Sequence, residues 1–137
     1  MKWTLVLLAA VLLVVVVTSR NTVAQGEPSD GPRYENGTNL VRPTDYRTWT
    51  FLSSSLNMTY EPPSGGSRPQ LFQNVFVNPS SYRGFMQTGG WPDETVFILE
   101  IRRSSSEGAI TTTGQFQSDL VALEAEVKDS RFSDGWA

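Results

Sequence analysis

Residues 94–103, ETVFILEIRR, carry the strongest strand signal in the chain. The stretch is rich in Val, Phe and Ile, and turn-forming residues stand at both of its ends. Farther along, residues 121–128, VALEAEVK, alternate apolar and polar side chains. The residues Ala, Leu, Glu and Lys also favour helices, but a period of two is typical of a strand with one buried face. The two stretches together predict an antiparallel sheet.

The segments before residue 94 add two more strands and the helices. Residues 48–55, TWTFLSSS, alternate as a strand does, and Leu71, Val75 and Val77 indicate a second extended segment that Asn78-Pro79 ends. Residues 80–90, SSYRGFMQTGG, predict a helix that stops at its two glycines. A short helix near Tyr46 is also expected, with Thr44 or Asp45 as its cap. The predicted fold class is α+β: an antiparallel β-sheet with one or two packed helices.

The chain divides into three parts. Residues 1–24 combine Lys2, an apolar run shorter than the ~20 residues of a membrane span, and small residues at the end, which predicts a secretory signal peptide rather than an anchor helix. Residues 25–39 are rich in Gly, Pro, Asp and Asn and are predicted to be a flexible tether, and residues 40–137 form the domain. We therefore expect a periplasmic or secreted protein.

Charge and composition narrow the function classes. The net charge is −3, and removal of residues 1–24 would leave 9 basic against 14 acidic residues. A surface of that sign repels phosphate backbones, so nucleic acid is not an expected partner. Once the signal peptide is cleaved, a membrane is not an expected partner either. The 137 residues contain no Cys and no His. They cannot supply a thiolate metal site, an imidazole ligand or the usual nucleophile and base pairs.

Several side chains remain as site candidates, each with a second interpretation. Glu124 and Glu126 are spaced for acid and base work, or they form the solvated face of a sheet. Phe85, Trp91 and Phe97 supply enough apolar area to wall a flat cofactor pocket, or they are core. Arg102 can hold an acidic group of a cofactor, or it is a surface charge.

Two longer stretches carry a family resemblance. Residues 74–110, NVFVNPSSYRGFMQTGGWPDETVFILEIRRSSSEGAI, and residues 122–137, ALEAEVKDSRFSDGWA, resemble the cytochrome P460 family of periplasmic c-type haem proteins. The resemblance extends from about Tyr46 to Ala137. Its ordered elements NVFVNP, GGWPDET, EIR and VKDS are specific when taken together.

The resemblance implies a haem-binding redox or electron-transfer protein. Family members continue past a GWAY-like strand to a Cys-x-x-Cys-His motif that attaches the haem, so we expect this domain to be incomplete at its C-terminus and to carry no covalent haem c. In the hydroxylamine-oxidising members of the family, a lysine is joined to the haem macrocycle. No Lys lies between Trp3 and Val127, so the resemblance favours haem binding or electron transfer over hydroxylamine oxidation. Whether any relative of this chain is an oxidoreductase stays open, and the chain alone is expected to be inactive.

The resemblance also bears on partners. Family members commonly pair through their sheets, so a homodimer of this kind is expected, whereas the redox partner is not indicated. A haem-free module that keeps the fold and binds a small apolar ligand is the alternative function.

Overall fold

A computed structural model describes residues 29–59, 69–107 and 113–137. The predicted signal peptide lies outside the described residues. The described part contains six strands and one α-helix, in the order β1 Tyr34–Glu35, β2 Asn39–Leu40, β3 Thr50–Leu56, β4 Leu71–Val77, α1 Pro79–Thr88, β5 Val96–Ser105 and β6 Phe116–Val127. A single 3-10 turn, Tyr46–Thr48, precedes β3. Strands dominate and helix is minor, which places the domain at the β-rich end of the α+β class.

The main sheet has four antiparallel strands in the order β3, β4, β5, β6. Each strand pairs with its neighbour in sequence, as short connections favour. The strands predicted in residues 48–55, 94–103 and 121–128 are confirmed as β3, β5 and β6. The choice of strand over helix for VALEAEVK is also confirmed, since residues 122–127 pair with β5 in continuous antiparallel register.

The two faces of the sheet are covered by different elements. One face includes Asn74, Phe76, Ile98 and Glu100, and Tyr46 of the 3-10 turn packs on it. It is here called the hairpin face, because the hairpin formed by β1 and β2 packs against the core on this side. The opposite face, here called the helix face, includes Phe97, against which α1 and its following turn pack through Trp91. Side chains alternate between these faces along each strand.

Helix α1 has clear start and stop signals. Pro79 occupies its first position, and the backbone N–H of Ser80 donates to Asp30 Oδ2 at 2.8 Å. The helix ends at Gly89, whose φ of 74° is a left-handed conformation and whose N–H donates to Phe85 O at 2.7 Å. The predicted helix and its glycine stop are confirmed.

Part of the predicted tether belongs to the packed domain. Strands β1 and β2 form a hairpin, and Tyr34 and Leu40 pack against the hydrophobic core. Tyr34 Oη donates to Asp129 Oδ2 at 3.0 Å, and the Arg131 guanidinium lies 4.3 Å from the Tyr34 ring centre. The sequence predicted a tether because residues 25–39 contain few apolar residues, but Tyr34 and Asp30 of this segment both contact the rest of the domain.

The main core lies between the hairpin face and the 3-10 turn. It is formed by five buried side chains, with Phe76 and Leu123 packed around them: Tyr46, Trp49, Val96, Ile98 and Val127. In the part of the chain that the structure describes, no helix is long and apolar enough to cross a membrane.

Candidate functional site

The three aromatic side chains proposed from the sequence come together on the helix face. Phe85 stacks on Trp91 with ring centres 4.2 Å apart, and Trp91 meets Phe97 edge-on at 4.8 Å. Trp136 extends the row by stacking on Phe97 at 6.0 Å. Lys128 lies beside the row, and its Nζ donates to the backbone oxygen of Trp91 at 2.6 Å. The four rings contact one another, and each remains only half-buried.

The carboxylates of β6 lie on the same side of the sheet. Glu124 and Glu126 are both exposed, and with Phe97 and Leu99 they line a groove of about 400 Å³. Exposure of both side chains agrees with the solvated-face interpretation of their spacing.

Arg102 is separated from the aromatic side chains by the sheet itself. It lies on the hairpin face, where Nε donates to Ser118 O at 2.9 Å and Nη1 lies 3.5 Å from Glu100 Oε1. The four residues proposed from the sequence therefore do not form one site. Three are packed together on the helix face, and the fourth joins a polar cluster that the sequence did not suggest.

Glu100 is the centre of that polar cluster. Its side chain is 3% exposed, yet it sits within the apolar run VFILEI of β5. Tyr46 Oη donates to Glu100 Oε2 at 2.5 Å, Arg47 Nη2 to the same oxygen at 2.6 Å, and Asn74 Nδ2 to Oε1 at 3.2 Å. A buried carboxylate is tolerated only with such partners, because an unpaired one costs several kcal/mol.

The amide groups next to Glu100 form a second layer of the cluster. Asn74 and Gln117 exchange two hydrogen bonds, with Nδ2 to Oε1 at 2.6 Å and Nε2 to Oδ1 at 3.1 Å. Ser54 Oγ also donates to Asn74 Oδ1, at 2.8 Å. The contacts cross all four strands of the sheet, from β3 through β4 and β5 to β6, so the cluster is held by the rigid part of the fold.

The electrostatics of the cluster favour an ionised Glu100. Burial by itself favours the neutral carboxyl, but the hydrogen bonds from Tyr46, Arg47 and Asn74 outweigh that effect and hold the pKa of Glu100 below its ordinary value. The hydrogen bonds to Tyr46 and Glu100 raise the pKa of Arg47 in turn. The cluster is thus a fixed set of charges at neutral pH.

The cluster opens onto a cleft of about 410 Å³, lined by Arg47, Asn74, Phe76, Glu100, Arg102 and Gln117. Large apolar side chains of the same face are exposed around it: Phe51 is 53% exposed, Leu56 45% and Leu120 42%. Register assigns them to this face, because they pair with Phe76, Phe72 and Arg102 respectively. Exposed apolar area around a few converging polar groups is typical of a ligand site.

One feature of the sequence does indicate this site. Glu100 interrupts the run VFILEI at a position that shares a face with Val96 and Ile98. A single charge on the buried face of a strand needs partners, and that need predicts a polar cluster. Asn74 and Gln117 gave no comparable signal, because only the strand register shows that they meet.

The fold and this site define a class: a β-rich sheet domain with a partly uncovered face, where apolar side chains surround a fixed polar cluster. The family model described as Cytochrome P460 matches residues 43–137. The chain belongs to the cytochrome P460 family, which confirms the resemblance seen in the sequence and makes it a member of a haem-binding family. No curated protein sequence matches the chain.

Proposed function

We propose that this domain belongs to an extracytoplasmic haem-binding redox or electron-transfer protein, and that the hairpin face holds the macrocycle. The observation that carries the proposal is the buried Glu100 cluster on a face that also carries exposed apolar side chains. A flat apolar ligand would cover Phe51, Leu56 and Leu120, which water otherwise surrounds. The large apolar side chains of the helix face, Phe85, Trp91 and Phe97, are half-buried against one another, whereas more of the apolar area of the hairpin face meets water.

The residues present fit the macrocycle but not its covalent attachment. Apolar side chains and converging polar groups are what a haem pocket offers on either side of the ring. Thioether bonds and an imidazole ligand need Cys and His, and neither occurs in the 137 residues. Any haem bound to these residues alone would therefore be held without thioether bonds and without an imidazole ligand.

Each group of the hairpin face has a separate part in this proposal. Haem supplies one-electron redox chemistry when it is bound. Phe51, Phe76 and Leu120 would hold the macrocycle and would exclude water from it. Glu100 fixes the direction of the Tyr46 hydroxyl and the Arg47 guanidinium through hydrogen bonds of 2.5 and 2.6 Å, so these groups need no reorganisation when a ligand arrives.

Titration of haem into the purified protein tests the face directly. We expect a Soret shift that saturates, and we expect Phe51→Ala to weaken binding about tenfold because it removes apolar contact area. Met86→Ala is the matched control, since Met86 is 65% exposed and lies on α1, on the other side of the sheet. Equal losses for the two variants, or a loss for Met86→Ala only, would contradict the hairpin face as the site.

The extracytoplasmic location rests on the family and on residues 1–24. Cleavage after Ala24 would give a mature protein that begins at Gln25. Mass spectrometry of protein exported from a bacterial host should find this N-terminus. Recovery of exported protein that still begins at Met1 would contradict the signal peptide.

A further inference from the structure

We propose that Arg47 and Arg102 form a binding site for a carboxylate group in the cleft beside Glu100. The inference rests on the proposed function in one respect, because one source of such a group is a macrocycle with acidic side arms. The other source is a small free carboxylate. Both guanidinium groups line the same cleft, and they approach it from different elements, one from the 3-10 turn and one from β5.

The hydrogen-bond inventory leaves donors on both arginines. A guanidinium carries five N–H donors in a planar fork. Within the described residues, Arg47 uses Nε toward Tyr46 Oη at 3.3 Å and Nη2 toward Glu100, whereas Arg102 uses Nε toward Ser118 O. The same contacts leave Arg47 Nη1 and Arg102 Nη2 with N–H groups to donate. A carboxylate offers acceptor oxygens that match a guanidinium fork.

The charge of the cleft points to an anion. Two guanidinium groups face one carboxylate, so the cleft has an excess of one positive charge. Its other lining residues, Asn74, Phe76 and Gln117, are neutral. Arg102 is only 20% exposed in its side chain and Arg47 is 56% exposed. A charge that is mostly removed from water binds a counter-ion more strongly than a surface charge does.

Neither arginine is already neutralised by a close bidentate partner. The Arg102 to Glu100 contact is 3.5 Å long, which is beyond the 2.7–2.9 Å typical of a charge-assisted hydrogen bond. The Arg47 contact is short but uses one nitrogen. By contrast, Arg131 holds Asp129 through both Nε and Nη2. The cleft arginines are thus better placed to accept a further anion than Arg131 is.

The test compares haem with its dimethyl ester, in which both acid groups are neutral, and uses acetate as the free carboxylate. Haem should bind the wild-type protein about tenfold more tightly than the ester does, and Arg102→Gln should remove that difference. Arg102→Lys should keep part of it. Arg103→Gln is the matched control, because Arg103 is the next residue of β5, exposed on the other face. Circular dichroism melts verify that each variant is folded.

The outcomes separate the two sources. A difference between haem and ester that depends on Arg102 assigns the site to the acid groups of the macrocycle. Acetate that shifts the side-chain NMR signals of Arg47 and Arg102 in a saturable way assigns it to a free carboxylate. Ester binding as tight as haem binding, with no acetate shift, overturns the inference but leaves haem binding on this face intact. Failure of both macrocycles to bind, with a saturable acetate shift, supports the inference and overturns the proposed function.

Discussion

Asn74 and Glu100 face each other across β4 and β5 as direct register partners, and their side chains share a hydrogen bond of 3.2 Å. An amide and a carboxylate therefore occupy the centre of a sheet whose neighbouring positions on that face are Phe76 and Ile98. The arrangement stabilises the sheet only while the carboxylate keeps its donors and its charge.

Acid should destabilise the domain through Glu100. Its pKa is lowered in the folded protein, so its contribution to stability is present above the ordinary value of 4.5 and is lost as the pH falls below it. We expect urea midpoints of the wild-type protein to fall more steeply between pH 6 and about pH 3 than those of Glu100→Gln. Asp129 also titrates in both proteins, so the difference between the two curves isolates Glu100. Parallel curves would contradict this assignment.

Removal of one donor should have a measurable cost. Tyr46→Phe keeps the ring that packs on Phe76 and deletes only the hydroxyl that donates to Glu100. We expect a loss of about 1.5–3 kcal/mol in the free energy of unfolding, the usual range for a hydrogen bond to a charged group. Tyr82→Phe, on α1, is the control and should change stability by less than about 0.5 kcal/mol. Chemical denaturation of the three proteins measures both values.

The aromatic row on the helix face should behave as core. Phe97→Ala removes contacts to both Trp91 and Trp136 and should cost about 3 kcal/mol of stability. Haem affinity of the folded fraction should be unchanged, because the row lies behind the sheet. A variant that stays fully stable but loses haem would return the site to the residues first suggested by the sequence.

The purified chain should carry no covalent haem. Thioether bonds need cysteine, and the sequence contains none. Acid acetone should therefore extract all of the haem from a reconstituted sample, and a pyridine haemochrome spectrum of the protein pellet should be blank. Stoichiometric c-type haem in the pellet is the result that this prediction forbids.

The Tyr34 contacts should hold the β1–β2 hairpin on the domain. Hydrogen bonds from Arg131 keep the pKa of Asp129 well below its usual range, and the carboxylate also accepts from Tyr34. Tyr34→Ala removes that hydrogen bond and also the aromatic ring that the Arg131 guanidinium contacts. We expect faster trypsin cleavage after Arg33, which immediately precedes the hairpin, while cleavage after Arg83 on α1 keeps its rate. Equal acceleration at both sites would indicate global rather than local loosening.

The strands were predictable because their signals are local. The composition and the period of two in ETVFILEIRR and VALEAEVK can be read without knowledge of the rest of the chain. Gly89 likewise ends α1 where the sequence predicts. The site was not predictable in the same way. Phe85, Trp91 and Phe97 looked suitable because aromatic area serves core and pocket equally well, and only the sheet register shows which face each side chain occupies. The sequence indicated Arg102 as a site candidate. It did not indicate the residues that share its cluster, Arg47 from the 3-10 turn and Asn74 from β4.

Glu100 also has a consequence for how the strands find one another. A slip of one residue between β4 and β5 would turn Glu100 toward the helix face, away from Tyr46, Arg47 and Asn74, and would leave an unpaired charge beside Val75 of β4. The misaligned sheet would keep most of its apolar contacts, since Val, Phe, Ile and Leu are nearly interchangeable along both strands. The carboxylate makes the two alignments unequal in free energy, so it selects the native strand register during folding. A Glu100→Leu chain should therefore refold into a mixture of alignments, even where its native form is more stable.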